Sequence, residues 1–218
     1  MRCTAVIFDL DGTLVDSLGD LAHSMNEVLE SMGHPTHPTE PYRRFVGDGI
    51  VMLARRALPA NAADQASVEE AVRRMREVYG RRCLETTAPY PGIPELLKAL
   101  RALELKTAVL SNKPDGATRQ IVFRLFQGHA FDQVRGARSG IPLKPDPASA
   151  LDLLSELGAR PADVLYLGDT KTDMQTGRRA GVLTVGVTWG FRDEDELRGS
   201  GSQHIIHHPL ELLELLRE

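Results

Sequence analysis

The chain has 218 residues, of which 42% are hydrophobic, so it can form one domain with an insertion or two small domains. Its formal net charge of −4 argues against a basic nucleic-acid-binding surface, and no apolar run approaches the about 20 residues that span a bilayer. Two cysteines, Cys3 and Cys83, and an N-terminus without a signal-peptide pattern lead us to expect a cytoplasmic protein.

Four short apolar runs rich in β-branched residues predict strands that are buried on both faces. These runs are residues 4–10, 106–112, 163–169 and 182–187. Amphipathic helical patterns follow at residues 94–105, 147–158 and 170–181. Because strands and helices alternate, the sequence predicts an α/β fold, a Rossmann-like doubly wound parallel sheet with helices on both faces.

Residues 17–87 contain no convincing strand and predict a helical insertion. Helical patterns cover residues 18–33, 50–58 and 67–85, and a loop is predicted at residues 34–41. We therefore expect two domains, an α/β core made of residues 1–16 and 88–218 and an α-helical cap domain made of residues 17–87. Because ligands of such sheets bind at the carboxyl ends of the strands, the cap should cover that site.

The first predicted strand runs into two carboxylates, Asp9 and Asp11, followed by Thr13 in a turn that would face a phosphate. Carboxylates this close stay charged at low cost only if a cation lies between them, and otherwise one takes a proton. Mg²⁺ would suit them, because it prefers oxygen ligands and keeps several waters. Asp169 after the third strand could add a carboxylate, and Asp173 would face the same way on a helix.

Several residues at the predicted strand ends could carry phosphoryl chemistry. Asp9 is a candidate nucleophile because carboxylates form aspartyl-phosphate intermediates, and Asp11 could protonate the leaving-group oxygen and later deprotonate water. Ser111 and Asn112 could donate hydrogen bonds to the phosphoryl oxygens. Lys144, between a loop and a predicted helix, could neutralise charge on Asp9 and on the phosphoryl group.

Four segments, in this order, resemble the four motifs of the haloacid dehalogenase-like superfamily. They are DLDGTLVDS (9–17), LSNKP (110–114), LKPDP (143–147) and GDTKTD (168–173). Four ordered motifs in the appropriate strand contexts are highly specific, whereas any one of them alone would be modest. The resemblance extends across the whole predicted core.

The resemblance implies roles for the acidic residues. It implies that Asp9 is the nucleophile and Asp11 the general acid and base. It implies a Mg²⁺ ion held by the Asp9 side chain, the Asp11 backbone carbonyl and Asp169, with Asp173 supporting the metal through water. The cofactor that we expect is therefore Mg²⁺, although the sequence does not distinguish it from Mn²⁺.

The same resemblance places Ser111 and Lys144 against the phosphoryl group, and Asp11 indicates the reaction class. Dehalogenases and phosphonatases of the superfamily lack the second aspartate. Phosphonatases also use a cap lysine for a Schiff base, and residues 17–88 contain no lysine. Phosphoester hydrolysis or phosphoryl transfer is therefore favoured.

A narrower resemblance concerns the substrate. The segment YRRFVGDGIVMLARRAL (42–58), together with YPGI, SNKP and GVTWGF, is similar to phosphoglycolate phosphatases. It implies 2-phosphoglycolate as the substrate, whose carboxylate would need a cation from the cap. The candidates are Arg43, Arg44, Arg55 and Arg56, and Arg44 beside the glycine-rich turn is our choice.

Other functions stay open at this point. Phosphoryl transfer on a sugar phosphate, as in β-phosphoglucomutase-like enzymes, would use the same nucleophile, and a pyrophosphatase or nucleotidase would share the cap. A non-catalytic binding module would not need intact Asp9, Asp11, Lys144 and Asp169. We expect a small phosphorylated metabolite as partner, neither nucleic acid nor a membrane, and a monomer or homodimer.

Overall fold

The computed structural model of the chain describes residues 3–129 and 131–217. The strands in this part of the chain are β1 (Ala5–Phe8), β2 (Val15–Asp16), β3 (Ala88–Pro89), β4 (Lys106–Pro114), β5 (Gln133–Ala137), β6 (Val164–Gly168), β7 (Leu183–Val187) and β8 (His204–Ile206). The helices are α1 (Leu18–Ser31), α2 (Thr39–Phe45), α3 (Ile50–Ala57), α4 (Gln65–Arg82), α5 (Ile93–Ala102), α6 (Asp115–Leu125), α7 (Ala148–Leu157), α8 (Lys171–Ala180), α9 (Glu194–Gly199) and α10 (Leu212–Leu215). Within these ranges, no helix is long and apolar enough to cross a membrane.

A six-stranded parallel sheet with the order β5-β4-β1-β6-β7-β8 forms the centre of the molecule. Successive side chains of a strand point to opposite faces. Accordingly, Ala5 and Ile7 pack with α7 and α8 on one face of the sheet. Val6 and Phe8 belong to the other apolar cluster, which includes α5 and α6. The predicted α/β class with a doubly wound parallel sheet is confirmed.

The four predicted strands correspond to β1, β4, β6 and β7, but the sequence patterns missed other elements. The edge strand β5 is only half-buried, so it lacks the apolar run by which the central strands were found. Helix α2 overlaps the predicted loop at residues 34–41. It is short, carries Pro41 in its first turn and buries only Tyr42, so its own sequence contains little helical signal.

Helices α1 to α4 lie between β2 and β3, and we call residues 17–87 the cap. All four of these helices contribute to the same apolar cluster as Val6 and Phe8. The buried side chains of the cap include Leu21, Met25, Val28, Leu29, Tyr42, Leu53, Ala54, Val68, Ala71, Val72 and Met75. β2 and β3 pair with each other in an antiparallel ribbon, so the chain leaves and re-enters the core at one place.

Asp20, which is buried in the first turn of α1, links the start of the cap to its end at Thr86 and Thr87. Its carboxylate accepts hydrogen bonds from the backbone N–H and hydroxyl groups of both Thr86 and Thr87, at 2.6–2.9 Å. Burial acts to raise the pKa of Asp20, but these hydrogen bonds outweigh it and hold the pKa below its ordinary value. Asp20 therefore stabilises the base of the cap as a charged acceptor.

Candidate active site

The predicted site residues meet at the carboxyl edge of the sheet. The strand order of the sheet reverses at β1, because β4 and β5 lie on one side of β1 and β6, β7 and β8 lie on the other. Such a switch point leaves a crevice in which ligands of open α/β sheets bind. Asp9 follows β1, Ser111 lies near the end of β4, and Asp169 follows β6, so all three lie at this crevice.

Asp9, Asp169 and Asp173 form a buried acidic cluster around Lys144. One carboxylate oxygen from each of the three acids lies within 4.8 Å of the others. The Lys144 ammonium lies 2.9 Å from Asp9 Oδ1 and 2.6 Å from Asp173 Oδ1, and it also donates a hydrogen bond to the Leu110 carbonyl. The structure thus brings together residues of three motifs that are far apart in the sequence.

The charge of this cluster is strongly unbalanced. Burial, followed by the nearby Asp173, raises the pKa of Asp9, although Lys144 opposes the shift. Burial, followed by Asp173 and Asp9, raises the pKa of Asp169 well above its ordinary value. Three carboxylates face one ammonium group, so a divalent cation would neutralise the remaining charge. Apart from its ion pair with Lys144, Asp9 Oδ1 has no hydrogen-bond donor among the described residues, so it could also contact such an ion.

The surroundings of Asp169 fit a metal ligand whose orientation is fixed. Thr13 Oγ1 donates to Asp169 Oδ1 at 3.3 Å, and the Phe191 N–H donates to Oδ2 at 2.8 Å. A Cβ atom at Gly12, whose φ is +85°, would lie 2.2 Å from Asp169 Oδ2. A Cβ atom at Gly190 would lie 2.4 Å from Asp169 Cβ. Only glycine backbone can approach the carboxylate so closely.

Asp173 is held by the start of α8. The N–H and hydroxyl groups of Thr170 donate to Asp173 Oδ2 at 3.1 and 2.6 Å, in a capping box. The other oxygen of Asp173 accepts the hydrogen bond from Lys144. Both oxygens therefore have protein donors, and Asp173 holds Lys144 beside Asp9.

Ser111 and Asn112 differ in how their side chains are used. Asn112 Nδ2 donates to the Lys144 carbonyl at 3.0 Å and to the Gly47 carbonyl at 3.3 Å, and its Oδ1 accepts from the Lys144 N–H at 2.8 Å. The Asn112 side chain therefore positions Lys144 and a cap loop. Ser111 lines the cavity between core and cap, where its hydroxyl can meet a phosphoryl group.

Asp11 has a partner of its own, which the sequence analysis missed. Lys113 Nζ donates to both carboxylate oxygens of Asp11, at 2.8 and 2.9 Å, and Ser17 Oγ donates to Oδ1 at 2.5 Å. Burial lowers the pKa of Lys113, but Asp11 outweighs it and holds the pKa above its ordinary value. Asp9 and Asp11 thus each face a separate lysine. Lys113 directly follows Ser111 and Asn112 in the motif LSNKP, and this position was the signal in the sequence that could have identified it as a site residue.

A cavity of about 200 Å³ lies between the cap and the core. Its walls are largely apolar, with side chains from α1, α3 and α4 on the cap side. The charged residues that line it are Asp11, Lys113 and Arg76. Arg76 is exposed on α4 and was not among the arginines considered from the sequence.

The four arginines considered from the sequence have other contacts and do not line this cavity. Arg44, with a side chain 67% exposed, lies 3.1 Å from Glu196 and 3.8 Å from Asp193. Arg43 donates to the Gly190 carbonyl. Arg55 donates to Gln65 Oε1, and Arg56 to Asp48 Oδ2. Substrate binding by Arg44 stays a prediction.

Residues 46–49 of the cap, which we call the roof loop, lie against the core. Thr172 Oγ1, beside Asp173, donates to Asp48 Oδ1 at 2.7 Å. Arg192 donates to the Val46 carbonyl at 3.0 Å, and Asn112 donates to that of Gly47. These contacts hold the cap over the crevice, so the site is shielded from bulk water in this arrangement.

Known proteins resemble the chain over most of its length. Residues 6–187 match the family described as haloacid dehalogenase-like hydrolase. The chain is 35% identical over 190 residues to the phosphoglycolate phosphatase of Pseudomonas putida, which covers 85% of this chain and 70% of that protein. It is 32% identical over 215 residues to the phosphoglycolate phosphatase of Haemophilus influenzae, covering 96% of both chains.

Solved structures extend the similarity to three dimensions. A protein from Lactobacillus delbrueckii subsp. bulgaricus is 32% identical, with 99% of both chains covered and a TM-score of 0.92. A haloacid dehalogenase-like family hydrolase from Streptococcus pneumoniae is 26% identical, with 98% of both chains covered and a TM-score of 0.88. The similarity therefore includes the cap as well as the core.

Proposed function

Because the chain belongs to the haloacid dehalogenase-like hydrolase family, as its four motifs predict, we propose that it is a Mg²⁺-dependent phosphatase of small metabolites. The substrate that we propose is 2-phosphoglycolate. The observation that carries the proposal is the pair of neighbouring carboxylates with separate lysines, Asp9 with Lys144 and Asp11 with Lys113. This separation gives the two acids different partners, so they can take different parts in the reaction.

In the proposed reaction, a carboxylate oxygen of Asp9 attacks phosphorus while the bond to the leaving-group oxygen breaks. Asp11 gives a proton to that oxygen. Water then attacks the aspartyl-phosphate, Asp11 takes a proton from the water, and inorganic phosphate leaves Asp9 free again. Lys144, 2.9 Å from Asp9, carries positive charge beside the transferred group throughout.

The residues present fit a Mg²⁺ ion, which the side chains of Asp9 and Asp169 and the backbone carbonyl of Asp11 would hold. When bound, the ion would neutralise charge on the phosphoryl oxygens. Thr13 and the Phe191 N–H keep Asp169 in place for this purpose. The roof loop excludes water while Asp9 reacts.

Two features support a small anionic substrate. The cavity of about 200 Å³ is small, and its two cations, Lys113 and Arg76, face one carboxylate, Asp11. A second anionic group on the substrate would balance this charge. The names of the relatives from Pseudomonas putida and Haemophilus influenzae support 2-phosphoglycolate in particular. We further propose a cytoplasmic monomer or homodimer, in keeping with its free cysteines.

The test is phosphate release by the purified protein from a panel of small phosphoesters, with and without Mg²⁺. The panel contains 2-phosphoglycolate, β-glucose 1-phosphate, a nucleoside monophosphate and pyrophosphate. We expect 2-phosphoglycolate to be hydrolysed with the highest kcat/KM, and chelation of the metal to abolish release. Conversion of β-glucose 1-phosphate to its 6-phosphate isomer without free phosphate would contradict hydrolysis and support phosphoryl transfer.

A further inference from the structure

Lys113 has contacts that phosphoryl transfer at Asp9 does not by itself require. Its side chain is 3% exposed, and its ammonium pairs with both oxygens of Asp11 and lies 4.4 Å from the centre of the Tyr79 ring, which belongs to the cap. A buried lysine this closely paired keeps its partner in a defined place.

The ion pair with Lys113 limits how Asp11 can act as a general acid. Two hydrogen bonds from Lys113 and one from Ser17 occupy three of the about four lone-pair sites of the Asp11 carboxylate and fix its orientation. A general acid must reach the leaving-group oxygen within hydrogen-bond distance. Loss of the contacts with Lys113 during substrate binding would leave Asp11 free to turn toward that oxygen.

The neighbours of Lys113 show what could replace Asp11. The backbone N–H of Lys113 donates to Ser111 Oγ at 3.2 Å, so the backbone of Lys113 lies beside the side chain that we expect to contact the phosphoryl group. Its ammonium lines the same cavity as Ser111. Among the described residues that line this cavity, Asp11 is the only carboxylate. A negative group on the substrate is therefore the available replacement partner for Lys113.

We propose that Lys113 is a positioning residue that couples substrate recognition to the release of Asp11. Without substrate, Lys113 holds Asp11 away from the reacting phosphorus. The carboxylate of a bound 2-phosphoglycolate takes the place of Asp11 on the ammonium, and Asp11 then turns to the leaving-group oxygen. This inference rests on the proposed function. It explains why a substrate without a second anionic group would have a lower kcat as well as a higher KM.

The experiment compares three phosphomonoesters. 2-Phosphoglycolate has the carboxylate, ethyl phosphate has the same two-carbon chain without it, and p-nitrophenyl phosphate has a leaving group that needs no proton. Phosphate release with Mg²⁺ is measured for the wild type, Lys113→Met, Lys113→Gln and Arg76→Met. Lys98→Met, at an exposed position on α5, is the matched control.

We expect the wild type to prefer 2-phosphoglycolate over ethyl phosphate by about 100-fold in kcat/KM, the size of one lost charged contact. Lys113→Met should reduce this preference to about threefold, and kcat for 2-phosphoglycolate should fall more than kcat for p-nitrophenyl phosphate. Arg76→Met should raise KM with little change in kcat, because Arg76 lies exposed at the cavity. Lys98→Met should match the wild type.

An unchanged preference in Lys113→Met would overturn the inference. Equal losses on all three substrates would also overturn it, since they would indicate a structural role alone. If Lys113→Met fails to fold by circular dichroism, the same criteria apply to Lys113→Gln, which keeps a hydrogen-bond donor. Failure of the wild type to release phosphate from any of the three esters would instead contradict the proposed function.

Discussion

The floor and the roof of the candidate site are built in different ways. The floor is the group of strand-end residues around Lys144, and its members are buried and joined by hydrogen bonds within the core. The roof is the roof loop with the cap helices, and single polar contacts such as Thr172 to Asp48 hold it to the core. The floor is thus fixed by a buried network of contacts, whereas the roof loop is held to the core by separate hydrogen bonds.

This difference separates reaction from recognition along the chain. Every residue to which we assign phosphoryl chemistry lies in one of the four motifs, three of which are at the carboxyl ends of β1, β4 and β6, while the fourth, with Lys144, lies between β5 and α7. The residues that would read the rest of the substrate come from both regions, Lys113 from the floor and Arg76 from the roof. Changes at the residues around Lys144 should therefore abolish turnover, and changes in the roof or at Lys113 should alter substrate preference or rate.

The largest effect is expected in the floor. Asp9→Asn should lower kcat by at least about 10⁴-fold, because the amide cannot act as the nucleophile. The fold should remain intact, since the change removes one of three crowded carboxylates. Phosphate release and thermal unfolding measure the two effects. Asp152→Asn, at an exposed position on α7, is the control, and a much lower melting temperature for Asp9→Asn would show that Asp9 serves stability instead.

The next largest effect, on stability, is expected at Asp20, where the cap joins the core. Asp20→Asn should lower the free energy of unfolding by about 3 kcal/mol, because the new amide group meets the donors of Thr86 and Thr87. Urea denaturation measures the change. Glu30→Gln, at the exposed end of the same helix, is the matched control and should have little effect.

The stabilisation by Asp20 should also depend on pH. Hydrogen bonds keep its folded-state pKa below the ordinary value of 3.8, so its contribution is present above that value and is lost as the pH falls through the folded-state pKa. The difference in unfolding free energy between wild type and Asp20→Asn should therefore narrow below about pH 4. A difference that stays constant into the acid range would contradict the role of Asp20 as a charged acceptor.

A smaller effect is expected in the roof itself. Thr172→Val removes the hydrogen bond to Asp48 and should lower kcat/KM by about tenfold, because the closed arrangement loses one buried contact. Thr172→Ser keeps the hydroxyl and should behave as the wild type. Equal activity of Thr172→Val and Thr172→Ser would show that this contact does not help to hold the roof loop over the site.

The smallest effect is expected at Arg44. Arg44→Ala should leave kcat and KM within about twofold of the wild type, because its ion pairs with Glu196 and Asp193 are exposed to solvent. Steady-state kinetics with 2-phosphoglycolate measures this. A tenfold rise in KM would instead support the sequence-based prediction that Arg44 binds the substrate carboxylate.

The floor was predictable from the sequence because parallel strands end at a common edge. Asp9 and Asp169 directly follow apolar runs, so their meeting needs only the rule that parallel strands align their carboxyl ends. The partner of Asp11 was harder to predict. Lys113 is adjacent to Ser111 and Asn112, and the sequence does not show which of three consecutive side chains turns toward Asp11.

The roof was less predictable because its geometry depends on tertiary packing. Arg76 reaches the cavity because the apolar face of α4 packs on α1 and sets the rotation of the helix, which no local pattern states. Arg44 is sequence-adjacent to the glycine-rich turn but faces α9. Closeness in sequence to the glycine-rich turn therefore did not indicate which side of the short helix α2 faces the site.

The antiparallel ribbon of β2 and β3 has a consequence for protein engineering. Val15 lies opposite Pro89 and Asp16 opposite Ala88, so the whole insertion begins and ends at one paired crossing. Another helical module could be grafted at this junction without rerouting any strand of the main sheet. New substrate selectivity can therefore be installed by transplanting one contiguous stretch of polypeptide onto an unaltered reaction centre.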